Sequence, residues 1–132
     1  MLVKPNYKPG WEVPGGVVAL DESPCAACVR EFAEELGHTH SLGRLSVMEW
    51  QGPEPDRSES LMFLYDGGRI VGSDIRLQTS ELRTCAFVTA TDLDTYLNGR
   101  LARRMRAALM ALRRGGFVEM ENGYPLPDCE AT

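Results

Sequence analysis

Residues 11–38 read WEVPGGVVALDESPCAACVREFAEELGH, and this stretch decides the fold. Ser23-Pro24 is a helix start: a hydroxyl side chain that can cap free N–H groups, then a proline whose fixed φ suits the first helical position. Gly37 is a helix stop, because glycine enters the left-handed conformation without a Cβ clash. A helix is therefore predicted over 24–36. Its large apolar residues Val29, Phe32 and Leu36, with Ala33 among them, recur at helical spacing and make a stripe facing a core. Glu31, Glu34 and Glu35 are then expected on the opposite side, because positions i, i+3 and i+4 share a face.

Three carboxylates within one turn are locally unfavourable. Each like-charge pair costs roughly 0.2–0.5 kcal/mol on an exposed helix. Acidic residues in a last turn also meet the negative end of the helix dipole, at about 0.3–1 kcal/mol each. A hard divalent cation removes the conflict, since clustered carboxylate oxygens are what Mg²⁺ or Mn²⁺ prefers. Charge pattern alone is also satisfied by an ordinary solvated acidic face.

The spacing of the fixed positions goes further. Gly16, Glu22, Arg30, Glu31, Phe32, Glu34, Glu35 and Gly37 match G-x5-E-x7-R-E-U-x-E-E-x-G-U, where U is a bulky aliphatic, and Trp11 to Gly16 supplies a W-x-x-P-G-G lead-in. The stretch resembles the box of the Nudix hydrolase family, of which MutT is a member. His38 at the last U position departs from the pattern, at a place that is structural in the family. The resemblance implies an α+β fold, an α/β/α sandwich with a mixed β-sheet. It also implies hydrolysis of a nucleoside diphosphate linked to another moiety, by water attack on phosphorus assisted by Mg²⁺ or Mn²⁺. Glu31 and Glu35 then correspond to the primary metal ligands, and Glu34 to a third ligand or a holder of water. The Gly16 backbone carbonyl is a further implied ligand. Arg30 is expected to pair with Glu22 and orient the loop over the helix, while Glu22 and Gly37 hold the motif in shape. Gly15 and Gly16 allow a tight turn and close approach to phosphate. The implied general base is a Glu of the box or a carboxylate on a later loop. Glu81, ahead of a predicted strand, fits the latter place, and fits a solvated loop residue as well. Lys4 and Lys8 are candidates to meet phosphate. Trp11 is a candidate to stack a base or to join the core.

Outward from the box the elements are short. Strands are predicted at 2–3, 11–13, 17–20, 45–50, 61–65 and 83–88, with a loop over 51–60. Asp66-Gly67-Gly68 is a hairpin turn signal, with a return strand at 69–71. Thr91 to Asp94 has capping-box-like spacing. Leu101, Met105, Ala108, Leu109 and Leu112 mark an amphipathic helix over 99–114, ended by Gly115-Gly116. Its arginines, Arg104 among them, form a solvated basic face or a phosphate-contacting one. Residues 117–132 read as a polar tail. Short strands with an early and a late helix suggest a mixed sheet carrying helices. Only ten residues precede Trp11, so either the start lies upstream or the sheet is completed without the usual N-terminal strand hairpin, and the latter is the expectation. The open edge is then expected to be covered by a second copy, as a homodimer.

The whole chain sets limits. Its 132 residues suit one domain, 1–132. A net charge of −5 gives no reason to expect duplex nucleic acid as a partner. A small nucleotide remains suitable, because a bound cation reverses the local sign. The absence of a long apolar run and of a signal-like N-terminus leads to the expectation of a cytoplasmic protein without a membrane partner. Cys25, Cys28, Cys85 and Cys129 are then expected to be reduced thiols. Cys25 and Cys28 form a C-x-x-C near a helix N-terminus, where thiol pKa falls. That opens a second class, a thiol-redox protein, although both cysteines fall in the variable x7 stretch. A third class is a non-catalytic Nudix-like nucleotide-binding module, against which the intact set of carboxylates argues.

Overall fold

Both predicted ends of the early helix form as the chemistry dictates. In a computed structural model, described over residues 1–127, helix α1 spans Pro24–Leu36. Ser23 Oγ accepts from the Ala26 N–H at 3.2 Å. Gly37 closes the helix at φ 62°, its N–H donating to the Ala33 carbonyl. A Cβ at Gly37 would lie 2.6 Å from Arg76 Cβ, so the stop requires glycine on two grounds.

In chain order the elements are β1 Leu2–Pro5, α1, β2 Leu45–Gln51, β3 Ser60–Tyr65, β4 Leu82–Ala86, α2 Leu93–Tyr96, α3 Gly99–Arg114, β5 Val118–Glu121 and β6 Tyr124–Pro125, with single 3₁₀ turns at Gly72–Asp74 and Ala90–Asp92. They belong to two compact units. One comprises residues 1–43 and 67–97, the other the remaining described residues, 44–66 and 98–127.

In the first unit β1 pairs antiparallel with β4, Val3 opposite Cys85. Val3 also forms a bridge with Glu12, the two exchanging backbone hydrogen bonds of 2.8 and 2.9 Å. Phe32 and Leu36 of α1 pack with Val3 and Leu82, so the helix stripe and the small sheet share a core. Backbone bonds from Arg76 N–H to the Leu36 carbonyl (2.7 Å) and from Gln78 N–H to the Glu35 carbonyl (2.8 Å) fasten the end of α1. These occupy carbonyls that a helix C-terminus otherwise leaves unpaired.

In the second unit the strand order is β3-β2-β5-β6. β2 runs antiparallel to β3 and parallel to β5, so the sheet is mixed and the fold is α+β, as expected. Val47 and Met120 pack against Ala107 and Ala108 of α3. The stripe predicted on α3 is shifted: Ala102, Ala107, Ala108 and Ala111 are buried, while Leu101, Met105, Leu109 and Leu112 are half-buried. Small side chains let the helix lie close to the sheet.

Five local expectations fail. Residues 11–13 form no strand and carry only an isolated bridge at Glu12. Residues 17–20 form no strand, and Val17 and Leu20 are 83% and 92% exposed, so strand formation there would bury nothing. Residues 69–71 form no return strand, and β3 is instead an edge of its sheet. The cap foreseen for residues 91–94 is not made; Thr89 Oγ1 donates to Asp92 Oδ2 at 2.8 Å instead. Finally, the supposed polar tail contains β5 and β6, with Met120 in the core. Cys129 and the rest of the tail beyond residue 127 lie outside the described residues.

Candidate active site

Arg30 stands at the centre of the site. It lies two turns into α1 and reaches back over the loop that precedes the helix. Its Nε and Nη2 grip both oxygens of Glu22 at 2.8 and 3.0 Å, a bidentate pair. Nη1 donates to Glu31 Oε1 at 2.7 Å and to Glu34 Oε2 at 3.1 Å. Nη2 also reaches the Val17 carbonyl at 3.2 Å. Glu22 in turn accepts from the Ala19 N–H at 3.0 Å. One guanidinium therefore ties residues 17–22 to the carboxylate face of the helix. The Arg30 contact and the Ala19 N–H hold the Glu22 carboxyl down at about 2. Glu22 and Glu31 push Arg30 in the other direction, above its ordinary value.

The three box carboxylates are not equivalent. The Glu34 side chain is 58% exposed and the Glu31 side chain 17% exposed. Glu35 is buried, at the edge of the Phe32–Leu36 stripe rather than on the solvated face expected for it. Its Oε2 accepts from the Gly15 N–H at 2.9 Å. Burial raises the Glu35 carboxyl to about 7; Glu31, Glu12 and Glu81 push the same way, and the Gly15 N–H opposes them.

The turn ahead of the loop explains both glycines. Gly15 has φ 144°, in the region that favours glycine. At Gly16 a Cβ would run into the Glu31 carboxylate. Gly15, Gly16, Glu31 and Glu35 thus form one surface where backbone and carboxylates meet without an intervening side chain.

The remaining sequence candidates lie around this surface in the same unit. Glu81 is exposed, just before β4, and its charge reaches Glu35. Lys8 pairs with Glu12 at 2.5 Å. Lys4 Nζ lies 5.8 Å from the Trp11 ring centroid. Trp11 meets Tyr96 of α2 edge-on, with centroids 5.3 Å apart and planes at 77°. Its indole is thus engaged within the protein rather than standing free.

Glu12 and Tyr96 were not foreseen. Glu12 occupies a variable position of the lead-in, and Tyr96 is distant in sequence, so periodicity had no means of selecting either.

Among the described residues no three acidic, imidazole or thiol groups converge into a ready cation cage. Positive charge beside Glu22, Glu31 and Glu34 comes from Arg30. The donor chemistry nevertheless suits a hard divalent cation. Glu31 and Glu35 are oxygen donors one turn apart, and Glu35 is a buried carboxylate whose neighbours Glu31, Glu12 and Glu81 are also acidic.

Cys25 is exposed, Cys28 half-buried, and both are free thiols one helical turn apart. Burial raises the Cys28 thiol above its ordinary range, with Cys25 and Glu31 adding to the effect.

Comparison with known proteins gives the class. The NUDIX domain family profile matches residues 1–112, and the chain belongs to that family. Its fold is similar to that in the crystal structure of a MutT protein from Methanosarcina mazei Go1, with 23% sequence identity and a TM-score of 0.68, over 86% of this chain and 83% of that one. No curated protein matches the chain. No helix among the described residues is long and apolar enough to cross a membrane.

Proposed function

We propose that this chain is a pyrophosphohydrolase that cleaves a nucleoside diphosphate linked to another moiety, by water attack on phosphorus with Mg²⁺ or Mn²⁺ as cofactor. The observation that carries the reading is the meeting of Glu31 and buried Glu35 at the Gly15-Gly16 turn, under a loop pinned by Arg30 and Glu22.

Glu31 and Glu35 would hold the cation, with Glu34 and the Gly16 carbonyl as further oxygen donors. When bound there, it neutralises charge developing on phosphate oxygens and acidifies a water. The other tasks fall to the chain's own groups. Arg30 positions Glu31 and the loop and does not touch the reacting atoms. The bare backbone at Gly15 and Gly16 lets a pyrophosphate come close. Lys4 and Lys8 meet its outer charge, Lys4 beside the Trp11 ring and Lys8 beside the Tyr7 ring. Glu81 is the candidate to accept the proton from the attacking water, since its charge already reaches Glu35.

A panel of nucleoside diphosphate derivatives assayed with Mg²⁺ and then Mn²⁺ tests this. Wild type should turn over at least one member. Glu35→Gln should lose turnover by at least a hundredfold while its circular dichroism is unchanged. Wild type and variant equally inert across the panel would sink the reading in favour of a binding module.

A further inference from the structure

The function just proposed leaves Cys25 and Cys28 unused. They stand in the first two turns of α1, on residues that the Nudix motif leaves free. Helix geometry puts Cα atoms three residues apart at about 5 Å, inside the range of roughly 4.4–6.8 Å that a disulfide spans. Their Cβ atoms are about 5–6 Å apart on such a helix, against about 3.5–4.5 Å in a disulfide. A bond is therefore within reach, provided the first turn yields by about an ångström.

The start of that turn is held by few hydrogen bonds. Its leading N–H groups have no partner within the helix, and the Ala26 N–H is held only by the Ser23 hydroxyl at 3.2 Å. Cys25 is exposed, so an oxidant reaches it directly, and Cys28, one turn further along the helix, is half-buried. Cys28 is also one turn ahead of Glu31. Glu22, immediately before the Ser23 cap, is gripped by Arg30. A change in the first turn therefore pulls on the contact that holds residues 17–22.

We propose that Cys25 and Cys28 form a reversible oxidation site for small hydroperoxides, and that closing their disulfide releases the loop at residues 17–22 from Arg30. The Cys25 thiolate attacks the terminal peroxide oxygen, breaking the O–O bond and giving a sulfenic acid and the reduced alcohol or water. The Cys28 sulfur then attacks the sulfenic sulfur, forming the S–S bond and expelling water. In sum, two thiols and one peroxide give one disulfide and two hydroxyl products. A dithiol reductant reverses it by exchange.

The test uses the full chain, reduced and then treated with stoichiometric hydrogen peroxide. Peptide mapping should show Cys25 linked to Cys28, with the loss of two hydrogens from the intact mass. Amide hydrogen exchange at residues 17–22 should speed up at least tenfold and return to its starting rate after dithiothreitol. Cys25→Ser and Cys28→Ser should each show neither response. The proposal is overturned by peroxide treatment that leaves the two thiols unlinked, by linkage without faster exchange, or by equal acceleration in the serine variants. None of these readouts uses hydrolysis, so a failure of the proposed enzymatic reading registers separately. Where the panel yields a substrate, the oxidised protein should turn it over at least tenfold more slowly. The double serine variant should match the reduced wild type under both conditions.

Discussion

Arg30 pairs with Glu22, Glu31 and Glu34 through one guanidinium. Its pairing with Glu22, which the family resemblance implied, is present as a bidentate contact. Carboxylate repulsion, judged by spacing alone, makes Glu31, Glu34 and Glu35 equivalent. Arg30 relieves two of them, Glu31 and Glu34, and the carboxylate left in a costly place is Glu35, inside rather than outside the stripe. Helical spacing placed these residues by angle, and a residue at the edge of a stripe can turn either way. The Glu22 contact has a pH signature. Its folded pKa, about 2, lies below the ordinary glutamate value of 4.5. The stabilisation is therefore complete above the unfolded pKa and is lost as pH falls through the folded one. In urea titrations, wild type should exceed Glu22→Gln in stability at pH 6, and the gap should close between about pH 4.5 and 2. A gap that persists unchanged at pH 2 would show that the ion pair is not its source.

At the scale of elements, α1 was legible because it carries its own punctuation, with Ser23-Pro24 at one end and Gly37 at the other. The missed hairpin of β5 and β6 is different. Its turn, Asn122-Gly123, has both residues at positive φ, 49° and 89°, which is what an Asn-Gly hairpin turn requires. The signal was present, but four alternating residues in β5 are too few to establish a period. Residues 69–71 failed in the opposite sense: Asp66-Gly67-Gly68 gave a turn signal after β3, but no paired strand follows it. Helix α3 hides another feature. Arg104, read as one of a row of surface arginines, is buried, and its Nε donates to Glu49 of β2, which is 0% exposed. Glu49 Oε1 has no hydrogen-bond partner. Removing one member of such a pair strands a buried charge, at about 3–5 kcal/mol, whereas an apolar replacement of both can be close to neutral. Arg104→Met should therefore lower unfolding free energy by about that amount, and Glu49→Leu with Arg104→Met should restore most of it. Equal losses in single and double variants by urea titration would show that packing, not the stranded charge, sets the cost.

For the whole molecule, the proposed cofactor makes a prediction that needs no substrate. The chain carries a net charge of −5, so any salt relieves some self-repulsion, and exposed charges are screened over about 10 Å at 0.1 M. Specific binding differs from screening in two ways: it saturates, and it depends on particular donors. A ligand that binds only the folded state adds about 2.7 kcal/mol at a hundred times its dissociation constant. For a domain of this size each kcal/mol raises the melting midpoint by roughly 2–6 °C. Mn²⁺ or Mg²⁺ should therefore raise the midpoint saturably by several degrees beyond NaCl of matched ionic strength. Glu35→Gln and Glu31→Gln should each abolish the excess and keep the salt response. Glu34→Gln should reduce it least, because that side chain is the most exposed of the three. If all three variants shift as wild type does, the cation is acting on the acidic surface as a whole, and the assignment of Glu31 and Glu35 as its ligands is wrong.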